Sequence, residues 1–457
     1  MEPQSIEKQY RSMVLRNIIA THSLERSFRM NKYFFQNIHV ISPLENIDIT
    51  CNLFIDETGH ISYPDETFKP SNDCIVIDAK DMIAAPGFVD MHVHLREPGQ
   101  EYKETIATGT AAAANGGFTD IVCMPNTQPA IDSKITLEYI KNKAHGNIVD
   151  VHICAATTIG RNGEQLTPMI ELMESGAVMF SDDGSCVESP EMMRRAFEYL
   201  APFDGLLTQH CEEHSMTKDF VMHEGSISAE LGVKGYPSIA EELIVNRDIQ
   251  LALYCGNRRY HVSHMSTKGS VQLVREAKAR GQRVTCEVTP HHFMFTHDAI
   301  KVHGTHAKMN PPLREQTDVD AILQGLADGT IDAIATDHAP HAEHEKHCEL
   351  ALAANGIIGL ETCIGLTITH LVKTGIIDFS RMIDILSIGP RKILRMNQPS
   401  LLAGAKACLT IFNPEEKWIP VPEKSHSKSQ NSPFFGIELT GKPLYTVNNG
   451  QVFESIL

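Results

Sequence analysis

No apolar run in this sequence approaches the roughly 20 residues that a membrane-crossing helix needs. Positive charge is also scarce. The chain carries 40 basic against 57 acidic residues, a formal net charge of −17. Such a chain lacks the basic face that nucleic-acid binding requires, so neither nucleic acid nor membrane is an expected partner. There is no C-x-x-C pair, and the eleven cysteines, an odd number, are scattered, with Cys123, Cys154 and Cys286 inside apolar runs. That usage fits reduced thiols packed as small hydrophobes in a cytoplasmic protein and argues against a disulfide framework. Residues 1–29 mix Arg11, Arg16, Arg26 and Arg29 with Glu2, Glu7 and Glu25 and have no long apolar core. They read as an N-terminal extension rather than a secretory signal. Short internal repeats and low-complexity tracts are missing as well.

What the chain does have is 23 histidines, many in short clusters, and a regular alternation of patterns. Residues 30–84 hold short apolar runs broken by turn residues, such as YFFQNIHVI and DCIVIDA, and the pattern returns in residues 400–457 with ACLTIFNP and PLYTVNNGQVF. These runs read as strands. Two strand-rich ends around a long middle predict a small β-sandwich built from both termini. Across residues 85–399, eight strand-like runs alternate with segments such as KGSVQLVREAKARG and SIAEELIVNRDIQLALYCG, whose apolar residues recur at helical spacing. The expected fold is therefore α/β, a (β/α)8 TIM barrel carrying that sandwich.

The chemistry-bearing residues cluster at the C-terminal ends of the predicted barrel strands. His92 and His94 end the first, IAAPGFVDMHVHL. Asn126 follows the second, Asp182 and Asp183 end the fourth, His210 the fifth and His264 the sixth, while Asp337, His338 and His341 follow the eighth. In such a barrel these ends converge on one mouth, where active sites are built. Side chains at i and i+2 of a strand share a side, so His92 and His94 can grip one cation together. Imidazoles and carboxylates without thiolates fit a catalytic zinc-type site. Two cations lie only about 3.5–4 Å apart and need a shared ligand, for which Asp182 or Asp183 is the candidate. Asp337 is placed to bind a cation and to handle protons. Arg96, two residues past His94, offers a planar fork for a carboxylate; the competing role is a surface ion pair with Glu97 or Glu101. His291, His292, His338, His344 and His347 read as structural.

The motifs PGFVDMHVHLREPG, MPNTQP, FSDDG, HCEE, HVSHMSTK, TPHHF, KMNPPLR and IATDHAPH occur in an order and at spacings that resemble the dihydroorotases, over residues 86–362. The resemblance implies a barrel enzyme with two zinc ions that interconverts L-dihydroorotate and N-carbamoyl-L-aspartate in pyrimidine (UMP) synthesis, with a homodimer as the family's plausible assembly. It assigns His92, His94, Asp183 and Asp337 to the first metal, and Asp183, His210 and His264 to the second. Asp183 would be the bridge, in place of the carboxylated lysine of some family members. It adds Asn126 and His341 as partners of Arg96 at the substrate carboxylate, and Asn310 at the ring. One stretch departs from the family. Where a Pro-Phe-Gly loop is common, this chain reads A-A-N-G, with Asn355 and Gly356 as the ring-contacting candidates. The competing readings are another cyclic amidohydrolase, such as an allantoinase or a dihydropyrimidinase (hydantoinase), and a metal-free scaffold. The first leaves Arg96 without a task, and the second predicts missing ligands.

Overall fold

The computed structural model describes residues 30–457. The expected extension of residues 1–29 lies outside the described residues. The first strands are β1 (Lys32–Ser42), β2 (Ile47–Ile55), β3 (Ile61–Ser62), β4 (Cys74–Asp78) and β5 (Ile83–Pro86). The last are β16 (Leu409–Trp418), β17 (Leu439–Asn448) and β18 (Gln451–Glu454). All eight belong to one sheet, ordered β18-β17-β16-β5-β1-β2-β3, with β4 on β1. The two chain ends meet at β5 and β16, which pair antiparallel from Ile83↔Phe412 to Pro86↔Leu409. Alternate residues of these strands bury one face: Phe35, Ile38, Val40, Leu53, Ile55, Leu409, Ile411 and Val447 form its core.

The barrel follows: β6 (Phe88–Val93), β7 (Phe118–Cys123), β8 (Asp150–Ala155), β9 (Ala177–Phe180), β10 (Leu207–Gln209), then β13 (Tyr260–Val262), β14 (Val284–Val288) and β15 (Ala333–Ile334). A two-stranded insert, β11 (Met222–His223) and β12 (Gly235–Tyr236), lies between β10 and β13. The barrel strands pair in parallel in chain order. The ring closes where Val93 bridges His338 and the His94 amide donates to the His338 carbonyl at 2.9 Å. Its seam therefore runs through the residues of greatest chemical interest. The helical segments named above form as expected. Lys268–Ala279, for example, is capped by the Thr267 hydroxyl, which accepts from the Ser270 amide.

The structure corrects one strand boundary. The stretch IAAPGFVDMHVHL is two strands, and Gly87 divides them. Pro86 has no amide to donate, and a Cβ on Gly87 would lie 2.3 Å from the Thr119 hydroxyl oxygen. The chain thus passes from the terminal sheet into the barrel at a point where only glycine fits.

A buried cation pins this junction. Arg391, in the helix Gly389–Leu394, donates to the Gly87 carbonyl and to the Ser387 hydroxyl, and its other arm reaches Thr119 and the Asp120 carboxylate. His152 on β8 meets the same carboxylate at 2.9 Å. Removing one partner of such a pair leaves a buried charge uncompensated, which costs about 3–5 kcal/mol. Arg391→Met should lower unfolding stability by about that amount in denaturant titrations. A loss below about 1 kcal/mol, the ordinary value of an exposed pair, would contradict the pinning role.

Candidate metal centre and anion site

Six of the residues singled out in the sequence converge. His92 and His94 stand at the end of β6, and Asp183, His210, His264 and Asp337 follow β9, β10, β13 and β15. All six are buried. The Asp183 carboxylate lies at their centre. Its Oδ1 is 3.3 Å from His92 Nε2, 3.4 Å from His264 Nε2 and 4.0 Å from His210 Nδ1, and its Oδ2 is 3.5 Å from His94 Nε2. Asp337 closes the other side, with Oδ1 2.9 Å from His94 Nε2 and 3.6 Å from His92 Nε2. Two ligand groups emerge, His92–His94–Asp337 and His92–Asp183–His264, with His210 Nδ1 2.9 Å from His264 Nε2. Asp182 stands outside this cluster. It points away and caps the preceding loop, accepting from the Thr158 amide at 2.9 Å and from the Thr158 hydroxyl.

The donor set fits divalent cations. His92 Nε2 and Asp183 Oδ1 are buried without a hydrogen-bond partner, and such atoms are costly unless something pairs with them. Burial pushes both carboxyls up, but the surrounding imidazoles outweigh it. Asp183 is held well below the ordinary carboxylate range, with His92 the leading opposing influence, and Asp337 is held below it as well. Burial holds His94 below its usual value, whereas at His92 and His210 burial is outweighed by the neighbouring carboxylates, which raise both imidazoles, so a cation binding there displaces their protons. Anionic carboxylates and neutral imidazoles are the metal-binding forms.

Three of the four candidate ligand histidines are oriented through their far nitrogens. His92 Nδ1 meets Glu287 Oε1 at 2.8 Å, His94 Nδ1 meets Asn126 Oδ1 at 2.8 Å, and His210 Nε2 meets Glu212 Oε2 at 2.9 Å. Glu287 also reaches His261 Nε2 at 3.3 Å, and although burial raises its carboxyl, those two histidines bring it down to about 2. Sequence reasoning missed Glu287 and made no claim for Glu212. The signal for Glu287 was there: a lone carboxylate inside the apolar strand VTCEV. Glu212 stands two residues beyond a ligand, where a carboxylate can hold the imidazole.

Three site residues occupy left-handed backbone conformations without being glycine: Arg96 (φ 61°), His264 (φ 29°) and Asp337 (φ 48°). Each such residue stores on the order of 1–3 kcal/mol, a cost that persists only where the surroundings over-determine the backbone. Arg96 is buried, its Nε donates to the Pro340 carbonyl at 3.1 Å, and its Nη2 lies 3.4 Å from His341 Nε2. No carboxylate is within ion-pair distance of Arg96 among the described residues. Glu97 instead pairs with Lys143 at 3.3 Å and accepts from Tyr139 at 3.0 Å, while the Glu101 side chain accepts from the Gly99 amide. Burial and then the Arg96 charge bring His341 down to about 3, so it is neutral.

The remaining candidates lie around these two groups. Asn126 holds His94 as described. Asn310 Nδ2 donates to Glu212 at 2.9 Å and approaches His210 Nε2 at 3.1 Å, leaving its buried Oδ1 without a partner. Gly356 packs against His341, and both its backbone groups are engaged, the amide with the Lys308 carbonyl and the carbonyl with Asn431 Nδ2. Asn355 keeps a buried Oδ1 without a partner. Asn431, from the C-terminal segment, also accepts from the His341 amide at 2.9 Å and donates to the Ala339 carbonyl at 2.9 Å. Its stretch NSPFFG shows weaker similarity to the family in the sequence, but nothing there assigned Asn431 to the site.

A protein-family model described as "Dihydro-orotase-like" matches residues 81–270. A dihydroorotase of Geotalea daltonii is 48% identical over 92% of this chain and 98% of its own length. One of Chlorobaculum tepidum is 45% identical over 92% and 98%. The chain belongs to the dihydroorotase family. The family's barrel is seen at longer range too. The L-hydantoinase (dihydropyrimidinase) of Arthrobacter aurescens superposes with a TM-score of 0.81 at 23% identity, covering 93% of this chain and 96% of that one. The dihydropyrimidinase of Brevibacillus agri gives 0.79 at 21% identity, covering 93% and 95%. These likenesses establish a shared fold, and the eight parallel strands agree with it.

For this family member, loss of an orienting partner should weaken metal retention. Glu287→Gln keeps the size of the side chain but removes the charge that holds His92 and His261. The expected effect is about 10–100-fold weaker metal affinity, read by competition with a chromophoric chelator. Unchanged affinity would show that Glu287 does not position the ligand.

Proposed function

We propose that the protein is a dihydroorotase with two zinc ions per chain, interconverting L-dihydroorotate and N-carbamoyl-L-aspartate in pyrimidine synthesis. The observation that carries the substrate assignment is the buried, anion-free Arg96 beside neutral His341, close to a site that fits cations. A permanently charged guanidinium removed from water calls for an anionic partner, and both compounds carry a carboxylate. Hydantoins and dihydropyrimidines do not, which leaves that pair without a task.

His92, His94, Asp183 and Asp337 would hold one zinc, and Asp183, His210 and His264 the other. When bound, the ions supply Lewis acidity toward the ring carbonyl and lower the pKa of water to about 7. The residues do the rest. Arg96 takes the substrate carboxylate in its fork and, with His341 behind it, fixes the ring's orientation. Asn126 contributes its free Nδ2 to the same group, and Asn310 offers its unpartnered Oδ1 to a ring N–H. Asn355 and Gly356 border the ring from the His341 side, chiefly as shape, since the Gly356 backbone is already paired. Asp337, kept anionic, accepts the proton released as water adds to the carbonyl and delivers it from its carboxylate to the leaving ring nitrogen. In the synthetic direction it takes a proton from the ureido nitrogen instead.

The test is dihydroorotate hydrolysis by the purified chain, followed after chelation and after zinc restoration. Activity lost on chelation and regained with zinc is expected; turnover that survives full chelation would overturn the metal-dependent reading. Asp337→Asn should lower kcat by at least about 10²–10⁴-fold, the usual worth of a positioned acid–base group, while the thermal melt still reports a folded chain. Near-normal kcat would remove Asp337 from the proton path. Arg96→Ala should lower kcat/KM for dihydroorotate by roughly 100-fold or more, in line with truncating one side of a buried charge pair. An equal loss on dihydrouracil, which has no carboxylate, would refute the anion-binding role.

A further inference from the structure

Of the four candidate ligand histidines, His264 is the one whose ring no carboxylate or amide holds at its far nitrogen among the described residues. Its backbone sits in a left-handed conformation all the same, which the surroundings have to enforce. The grip falls on the two residues after Met265. The Ser266 and Thr267 amides both donate to Glu241 Oε1 at 3.1 Å, and the Ser266 hydroxyl donates to Glu241 Oε2. Glu241 stands in the first turn of the helix Ile239–Tyr254 and is 2% exposed. Its counter-charge is Arg314, 1% exposed, with Nη2 3.5 Å from Glu241 Oε2 and Nε donating to the Ser266 hydroxyl at 3.0 Å. Burial raises the Glu241 carboxyl, but Arg314 and these donors outweigh it and hold the group below its ordinary value.

The same pair reaches His210 from the other side. Arg314 Nη1 donates to the Tyr236 carbonyl at 3.0 Å and to His223 Nδ1 at 3.2 Å, and the guanidinium lies over the Tyr236 ring, 4.6 Å from its centroid. The Tyr236 hydroxyl donates in turn to the carbonyl of Cys211, the neighbour of His210, at 3.2 Å. Next to Glu241, the Ala240 carbonyl accepts from the Glu213 amide at 3.0 Å. The loops behind His264 and His210 thus rest on one buried ion pair. His92, His94 and Asp337 are held by other means, through Glu287, Asn126 and the seam between β6 and β15.

We infer that Glu241 and Arg314 are positioning residues for the second metal: the pair fixes the backbones behind His264 and His210 and leaves the remaining ligands of the first metal alone. This rests on the two-zinc reading above. Replacing a buried ion pair by apolar residues of similar volume is often neutral for stability, so what the pair supplies is direction. Apolar side chains would fill the same space without holding the Ser266 and Thr267 amides, the Ser266 hydroxyl and the Tyr236 carbonyl at fixed angles. Both charged groups act through the loops they hold.

The test uses the full-length chain stripped of metal and titrated with Zn2+ alone against a chromophoric chelator, with no substrate. The wild type should take up two equivalents. Glu241→Gln keeps the size of the side chain but ends the charge pairing with Arg314. In that variant one equivalent should be held about 10–100-fold more weakly and the other as in the wild type. Ser266→Ala deletes only the hydroxyl that both charges grip; it should weaken the same equivalent to a smaller degree, and it decides the matter if Glu241→Gln does not fold. With Co2+ as the probe, the visible band that fades in these variants should be the one that His210→Ala removes. A purely structural role would lower the melting temperature and leave both affinities unchanged, or weaken both alike, and either result overturns the inference, as does fading of the other Co2+ band. A wild type that holds a single ion overturns the two-zinc reading and this inference with it; a wild type that holds two, matched by both variants, overturns this inference alone.

Discussion

The arrangement depends on one carboxylate lodged among four imidazoles. Asp183 lies within 4.0 Å of His92, His94, His210 and His264, each from a different strand end except the first two. A buried anion there is tolerable only where positive charge is supplied around it, and a buried ring of imidazoles only where something binds their lone pairs. The two costs cancel when cations sit between them. The left-handed backbones at His264 and Asp337 and the orienting contacts from Glu287, Asn126 and Glu212 are the means by which the barrel holds its donors at that point.

Barrel closure serves the same end. The seam between β6 and β15 is made by Val93, His94 and His338, with Asp90 accepting from the Thr336 amide at 3.1 Å and from the Thr336 hydroxyl. That seam sets Asp337 against His94 Nε2. Burial, only partly offset by those hydrogen bonds, pushes the Asp90 carboxyl up to about 7. Two later segments contribute from the opposite direction. The helix Gly389–Leu394 fixes, through Arg391, the point where the barrel begins, and the connection between β16 and β17 ties down, through Asn431, Ala339, His341 and Gly356, the loop behind Arg96.

Much of this was legible in the sequence, for physical reasons. Metal ligands on a barrel must fall at strand ends, so H-x-H, D-D, and single histidines closing apolar runs announce themselves by period alone. The barrel and five of the six converging residues were read that way, while the choice of Asp183 over Asp182 came from the resemblance to the family. What could not be read was any contact set by chain folding at a distance. Asn431 meets His341 across 90 residues, and Glu287 meets His92 across 195. The break at Gly87 was hidden because the strands on either side are both apolar, so one long run and two short ones look alike. Asn126 was placed beside Arg96 by resemblance, and the structure puts its carbonyl on His94, a second use of one side chain that spacing does not reveal.

The most direct measurement is anomalous scattering at the zinc absorption edge from crystals of the zinc-loaded chain. The account predicts two peaks about 3.5–4 Å apart, one beside His92, His94 and Asp337, the other beside His210 and His264, with the Asp183 carboxylate between them. A single peak, or ions bound elsewhere while Asp183 faces none, would contradict it.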